Sequence, residues 1–207
     1  MTQYGFAFNG TYCNGCKTCM LACKDYYDLD EDTDFRKVYE YGGGCAYTDA
    51  DGMLANDCFG YYISVACNQC DDPACVKVCP TTAMHKDADT GLVAVDTAKC
   101  MGCGYCAMAC PYGCPTVNRA LGHSVKCEGC IDRVKEGKKP ICVEACPQRA
   151  LDFGEIGKLR AIYGDIAQVD PLPDSSYTHP NLTISVPPQA QKQSDSAGAV
   201  LNLLEVM

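Results

Sequence analysis

The chain has 207 residues, with 17 Lys and Arg against 26 Asp and Glu, for a formal net charge of −9 at neutral pH. That balance argues against a nucleic acid or an acidic membrane surface as partner, and no apolar run is long enough to build a membrane-spanning helix. Cysteine is the outlier, at 19 residues beside five phenylalanines and no tryptophan, so ordinary core material is scarce and cysteine chemistry is expected to supply part of the folding energy.

The opening MTQYGFAFNG has neither a basic region nor a long apolar stretch. No export signal is read there, and a secreted disulfide scaffold is not expected. Tyr4 to Phe8 reads as a strand and leads into a first motif, Cys13, Cys16, Cys19 and Cys23, with gaps of two, two and three residues. Residues 25–57 are acidic and turn-rich, and read as an insertion with a short hairpin. Gly60 to Ala66 reads as a strand entering a second motif, Cys67, Cys70, Cys75 and Cys79, followed by Pro80. Asp89-Thr90-Gly91 reads as a turn and Leu92 to Val95 as a strand. That strand leads to a third motif, Cys100, Cys103, Cys106 and Cys110, followed by Pro111. The fourth motif is Cys127, Cys130, Cys142, Cys146 and then Pro147, with a short helix and a basic loop between its pairs. A further helix is expected near Ile156 to Ile162. From Val169 onward prolines, Gln, Ser and Ala accumulate, so 169–207 reads as an extended tail, bound to a partner or disordered.

Four sets of four cysteines form an internal repeat. The first and third motifs share a lead-in, FAFNGTYC beside VAVDTAKC, and the second and fourth share an exit, CPTTAM beside CPQRAL. The exit of the second runs through one turn and strand into the lead-in of the third. These two therefore pair as one contiguous unit, and the first and fourth pair from opposite ends of the chain. Sequential pairing, first with second and third with fourth, is the rival.

Three cysteines within seven residues, then Cys-Pro, is a spacing suited to one face of a small iron–sulfur cluster. In such motifs the fourth cysteine ligates the neighbouring cluster. The expected cofactors are thus four [4Fe-4S] clusters. Cluster 1 takes Cys13, Cys16, Cys19 and Cys146; cluster 2 takes Cys67, Cys70, Cys75 and Cys110. Cluster 3 takes Cys100, Cys103, Cys106 and Cys79; cluster 4 takes Cys127, Cys130, Cys142 and Cys23. A structural zinc module is the reading from another class, since the fourth motif alone has two separated Cys-x-x-Cys pairs.

The expected fold class is α+β. It comprises two ferredoxin-like two-cluster units of β-hairpins with short helices, plus the tail. One unit is built from 1–58 and 116–168 with clusters 1 and 4, and the other from 59–115 with clusters 2 and 3.

Cys45, Cys58 and Cys114 fall outside the sets and read as free thiols. His85, His123 and His179 lack ligand spacing. No nucleophile–base arrangement, phosphate loop or dinucleotide fingerprint is present, so no catalytic residue is assigned. Lys17, Lys24, Lys77, Lys99, Lys126, Arg119 and Arg133 lie near cluster cysteines, either as solvated charge or as groups that tune potentials.

The stretches CNGCKTCMLACKD (13–25), YYISVACNQCDDPACVKVCPTTAMHK (61–86), YCAMACPYGCP (105–115) and KCEGCIDRVKEGKKPICVEACPQRALDFG (126–154) carry a closer likeness. With them the sequence resembles the four-cluster iron–sulfur B subunits of molybdopterin oxidoreductase complexes, the dimethyl sulfoxide reductase branch above all. The resemblance implies a non-catalytic electron-transfer subunit of anaerobic respiration. Its partners are then a large catalytic subunit with a bis-molybdopterin guanine dinucleotide centre and a quinol-oxidising membrane anchor. The cluster 1–4 unit would face the former and the cluster 2–3 unit the latter. Its implied place is peripheral in a membrane-associated complex, cytoplasmic or co-exported with a twin-arginine-signal partner. A free-standing polyferredoxin is the alternative.

Overall fold

The computed structural model describes residues 2–190 and 198–206. Its small sheets and short helices make an α+β architecture gathered around the cysteine motifs. Strand β1 (Tyr4–Asn9) buries Phe6, Ala7 and Phe8 in succession, because it is the middle strand of its sheet. Helix α1 (Thr18–Tyr26) carries the end of the first motif. Strand β2 (Arg36–Gly43) then pairs antiparallel with β5 (Phe59–Ala66), with Arg36 opposite Ala66 and Gly43 opposite Phe59. Between them β3 (Ala46–Thr48) and β4 (Leu54–Asn56) form an outlying hairpin.

The middle of the chain is built from two hairpins and two short helices. Helix α2 (Ala74–Lys77) ends the second motif, and β6 (Met84–Lys86) pairs with β7 (Val93–Val95) across the Asp89-Thr90-Gly91 turn. Helix α3 (Tyr105–Ala109) ends the third motif, and β8 (Thr116–Asn118) pairs with β9 (His123–Val125). The fourth motif spans α4 (Ile131–Lys135) and α5 (Ile141–Glu144). It is followed by β10 (Leu151–Glu155) and α6 (Ile156–Tyr163). Strand β10 runs antiparallel to β1, with Phe6 opposite Phe153 and Phe8 opposite Leu151, so the start of the chain meets the segment after the fourth motif in one ladder. Among the described residues no helix is long and apolar enough to cross a membrane.

Two expectations need correction. The first concerns the tail. Strand β11 (Leu182–Ser185) lies parallel to β1, with Phe6 opposite Leu182 and Phe8 opposite Ile184, and Leu172, Leu182 and Ile184 share a core with Phe6, Phe8 and Phe153. Prolines exclude a long element, but a short strand between Pro180 and Pro187 suffices when β1 offers a free ladder edge. A Cβ on Gly5 would lie 2.3 Å from the Asn181 carbonyl oxygen, so only glycine permits this approach. Further on, β12 (Ala199–Val200) adds to β2, and α7 (Leu203–Val206) sets Glu205 in an ion pair with Lys17. Of the expected tail, 191–197 and Met207 lie outside the described residues.

The second correction concerns the boundary at 58/59. Strand β5, expected to head the middle unit, forms its whole ladder with β2, and Tyr61, Ile63 and Val65 pack in the same core as Phe8 and Val38. The insertion therefore includes an eight-residue core strand. Its Val38 and Tyr41 are buried although acidic turns flank the strand.

Candidate metal centres

In each motif the last two cysteines stand four residues apart on or beside a short helix: Cys19 and Cys23, Cys75 and Cys79, Cys106 and Cys110, Cys142 and Cys146. Residues so spaced share a helix face about 6 Å apart along the axis. Helix α1 packs against α5, and α2 against α3. Each helix thus offers one cysteine to its own motif and one to its partner's.

Three cavities result. Cys13, Cys16, Cys19 and Cys146 line one, together with Phe8 and Val38. Cys67, Cys70, Cys75 and Cys110 line the second, where Cys114 joins them. Cys79, Cys100, Cys103 and Cys106 line the third. The remaining four, Cys23, Cys127, Cys130 and Cys142, are all buried, and the Cys23 thiol is raised by burial and then by Cys127, Cys142 and Cys130 around it. All sixteen cysteines of the motifs are thereby grouped, three from one motif with one from another. The groups are called below the Cys13, Cys67, Cys100 and Cys127 sets.

In the Cys13, Cys67 and Cys100 sets the four thiols line a shared cavity, and in the Cys127 set they are buried together. Among the described residues no three His, Cys, Asp or Glu side chains converge closely enough to hold a single ion. The backbone is shaped for an anion of larger radius. Gly15, Gln69, Gly102 and Gly129 each precede the second cysteine of a Cys-x-x-Cys loop, and all four have positive φ, between 50° and 72°. A left-handed residue there turns successive N–H groups into a concavity of the kind that binds iron–sulfur clusters. Other N–H groups already donate to cysteine sulfur: Met84 to Cys79 at 3.3 Å, Ser124 to Cys100 at 3.3 Å, Gly129 to Cys127 at 3.4 Å and Ala150 to Cys146 at 3.3 Å. Cavity, donor set and backbone fit a cubane cluster with four thiolates.

Gln69 is the loop residue of the four that is not glycine. Its Oε1 accepts from Val93 N–H at 2.7 Å, and its Nε2 donates to the Cys127 carbonyl at 3.3 Å. Asn181 Nδ2 donates to the Gln69 carbonyl at 2.8 Å and to Asp71 Oδ1 at 2.9 Å. These buried bonds hold the Cys67 loop against the Cys127 motif and the chain's last third.

Charge is distributed unevenly about the sets. Lys126 is buried, donating to the carbonyls of Val93 and Cys127. Burial opposes its charge, whereas Glu128 and thiolates at Cys67, Cys127 and Cys75, as in a cluster-bound state, favour it and raise its pKa. Lys17, Lys24, Lys77, Lys99 and Arg133 instead make ion pairs near the surface. In the Cys67 cavity, Cys114 Sγ donates to the Ala66 carbonyl at 3.4 Å and stands beside Cys67 and Cys110, lowering both thiols against the effect of burial. In sequence Cys114 is an unassigned thiol, and only its place beside Cys110 and Cys67 gives it this role. Arg36 and Gln69 carry no sequence signal at all. Cys45 and Cys58 are exposed free thiols flanking the outlying hairpin.

Residues 58–156 match the family model described as "4Fe-4S dicluster domain". Over 205 residues, 99% of each sequence, the protein is 53% identical to the B subunit of anaerobic dimethyl sulfoxide reductase from Escherichia coli (strain K12). It is 52% identical over 206 residues, the whole of each sequence, to the subunit of the same name in Haemophilus influenzae. It is 36% identical over 156 residues to "Thiosulfate reductase electron transfer subunit PhsB" of Salmonella typhi, covering 74% of this protein and 77% of the relative. The protein belongs to the family of iron–sulfur B subunits of anaerobic dimethyl sulfoxide reductases.

Proposed function

We propose that this protein is the electron-transfer subunit of a reductase complex. In this reading it holds four [4Fe-4S] clusters, ligated by the Cys13, Cys67, Cys100 and Cys127 sets, in two paired ferredoxin-like units. The clusters, when bound, supply one-electron redox capacity. The chain's residues set spacing, insulation and potential, and no residue in it is assigned to act on an organic substrate.

One observation carries this reading. Cys16 in the Cys13 set and Cys103 in the Cys100 set are exposed, whereas the Cys127 set is wholly buried and three of the four cysteines in the Cys67 set are buried. Gln69 joins those two inner sets through the Cys127 carbonyl. The arrangement suits a relay with insulated middle stations and accessible ends. Tyr12 and Leu21 are exposed beside one end, and Met101, Tyr105 and Met108 beside the other. Such apolar rims are suited to fixed partners. The Cys13 end is assigned to a molybdopterin catalytic subunit and the Cys100 end to a quinol-oxidising membrane anchor. Relatives named as a reductase chain and a reductase electron transfer subunit support a place in a multi-subunit reductase, and the choice of end for each partner follows the family resemblance.

The test is anoxic purification from the native host. The expected product contains a large molybdenum subunit and about sixteen irons per copy of this subunit, four for each of four clusters. Iron-loaded protein that purifies alone makes it a free polyferredoxin. Zinc in place of iron overturns the relay.

A further inference from the structure

Arg36 brings a guanidinium into the interior, where it is only 2% exposed. It stands at the start of β2, opposite Ala66 of β5. Nη1 donates to the Ser64 carbonyl at 3.3 Å and to Ser64 Oγ at 3.1 Å. The guanidinium carbon sits 4.9 Å from the centre of the Phe6 ring. Nε and Nη2 are equally buried and have no partner at hydrogen-bond geometry, with the Cys142 side chain the nearest polar group to interact with the guanidinium. Two unused donors on a buried cation are costly unless an anion meets them.

The cysteines that act on this charge come from two different sets: Cys142, Cys127 and Cys23 from one, Cys19 from the other. Ser64 reinforces the link, since its Oγ lies 3.3 Å from Cys19 Sγ while accepting from Arg36. Neutral thiols would not compensate a buried guanidinium. Anionic clusters with thiolate ligands would.

We propose that Arg36 is a counter-charge shared by the Cys13 and Cys127 sites, with Nε and Nη2 donating to sulfur of the clusters held there. This rests on the cluster reading above. A donated hydrogen bond and a nearby positive charge both favour the more negative, reduced state, so Arg36 raises the potential of both clusters. The two potentials are thereby set by one residue.

The test is an EPR-monitored redox titration of the purified complex with Arg36→Gln. Two of the four clusters are expected to become at least tenfold harder to reduce, a fall of about 59 mV for a one-electron couple, while the other two stay where they are. A variant with its full iron content and four unmoved potentials overturns the proposal. Loss of iron from the wild-type complex itself would instead sink the cluster reading.

If Arg36→Gln does not assemble, wild-type complex labelled only with 15N-arginine decides. Pulsed EPR of the reduced clusters should show 15N coupling that disappears in Arg36→Lys. Absence of that coupling in wild type, or its survival in Arg36→Lys, overturns the proposal.

Discussion

Phe8 stands opposite Leu151 in the antiparallel ladder of β1 and β10. That register draws the first motif, which follows β1, beside Cys146, which precedes β10, and both aromatic and aliphatic side chains line the Cys13 cavity. The pairing of motifs from opposite ends of the chain is therefore a consequence of strand pairing.

Gln69→Leu tests how firmly the two inner sites are joined. Leucine fills the space but leaves the Val93 N–H and the Cys127 carbonyl without their buried partner. The expected loss is about 2–4 kcal/mol, on the scale of one to two unsatisfied buried groups. Denaturant unfolding of the iron-loaded protein measures it, and a loss near zero would show that the clamp carries no load.

Ile184→Ala tests the tail as core. Ile184 is 1% exposed and pairs with Phe8 across β1 and β11. Removing its side chain should cost about 2–4 kcal/mol. A surface tail would tolerate the change, so an unshifted unfolding midpoint contradicts the described packing.

Metal retention should depend on pH. Burial pushes Cys13 up to about 11, and Cys70, Cys75 and Cys127 up to about 12. With folded values above the ordinary one, these thiols are protonated at neutral pH in the metal-free protein. Each must give up a proton to become a ligand, so metal binding releases protons and weakens as pH falls. Iron captured by an external chelator under anoxia should rise steadily from about pH 8 to about pH 6. A flat profile would contradict this.

The cysteine motifs were more legible in the sequence than the scaffold that carries them. Cysteine spacing and the lead-in and exit repeats FAFNGTYC, VAVDTAKC, CPTTAM and CPQRAL are local signals. The structure repeats them locally: Thr82 and Arg149, at equivalent places in the two exits, both adopt positive φ. Strand β11 carries no such signal, because LTIS is short and its partner β1 lies at the far end of the chain. Strand β2 is hidden by the acidic turns around it. Arg36, Gln69 and Asn181 are polar residues buried by tertiary contacts, and composition cannot show which polar side chain will be enclosed.

The crossed grouping of cysteines is the central claim, and Cys110→Ser in the intact complex tests it most directly. Cys110 closes the third motif in sequence but lines the cavity of Cys67, Cys70 and Cys75. EPR and iron analysis should find the Cys67-set cluster converted or lost and the Cys100-set cluster intact. Damage confined to the cluster held by Cys100, Cys103 and Cys106 would contradict the account.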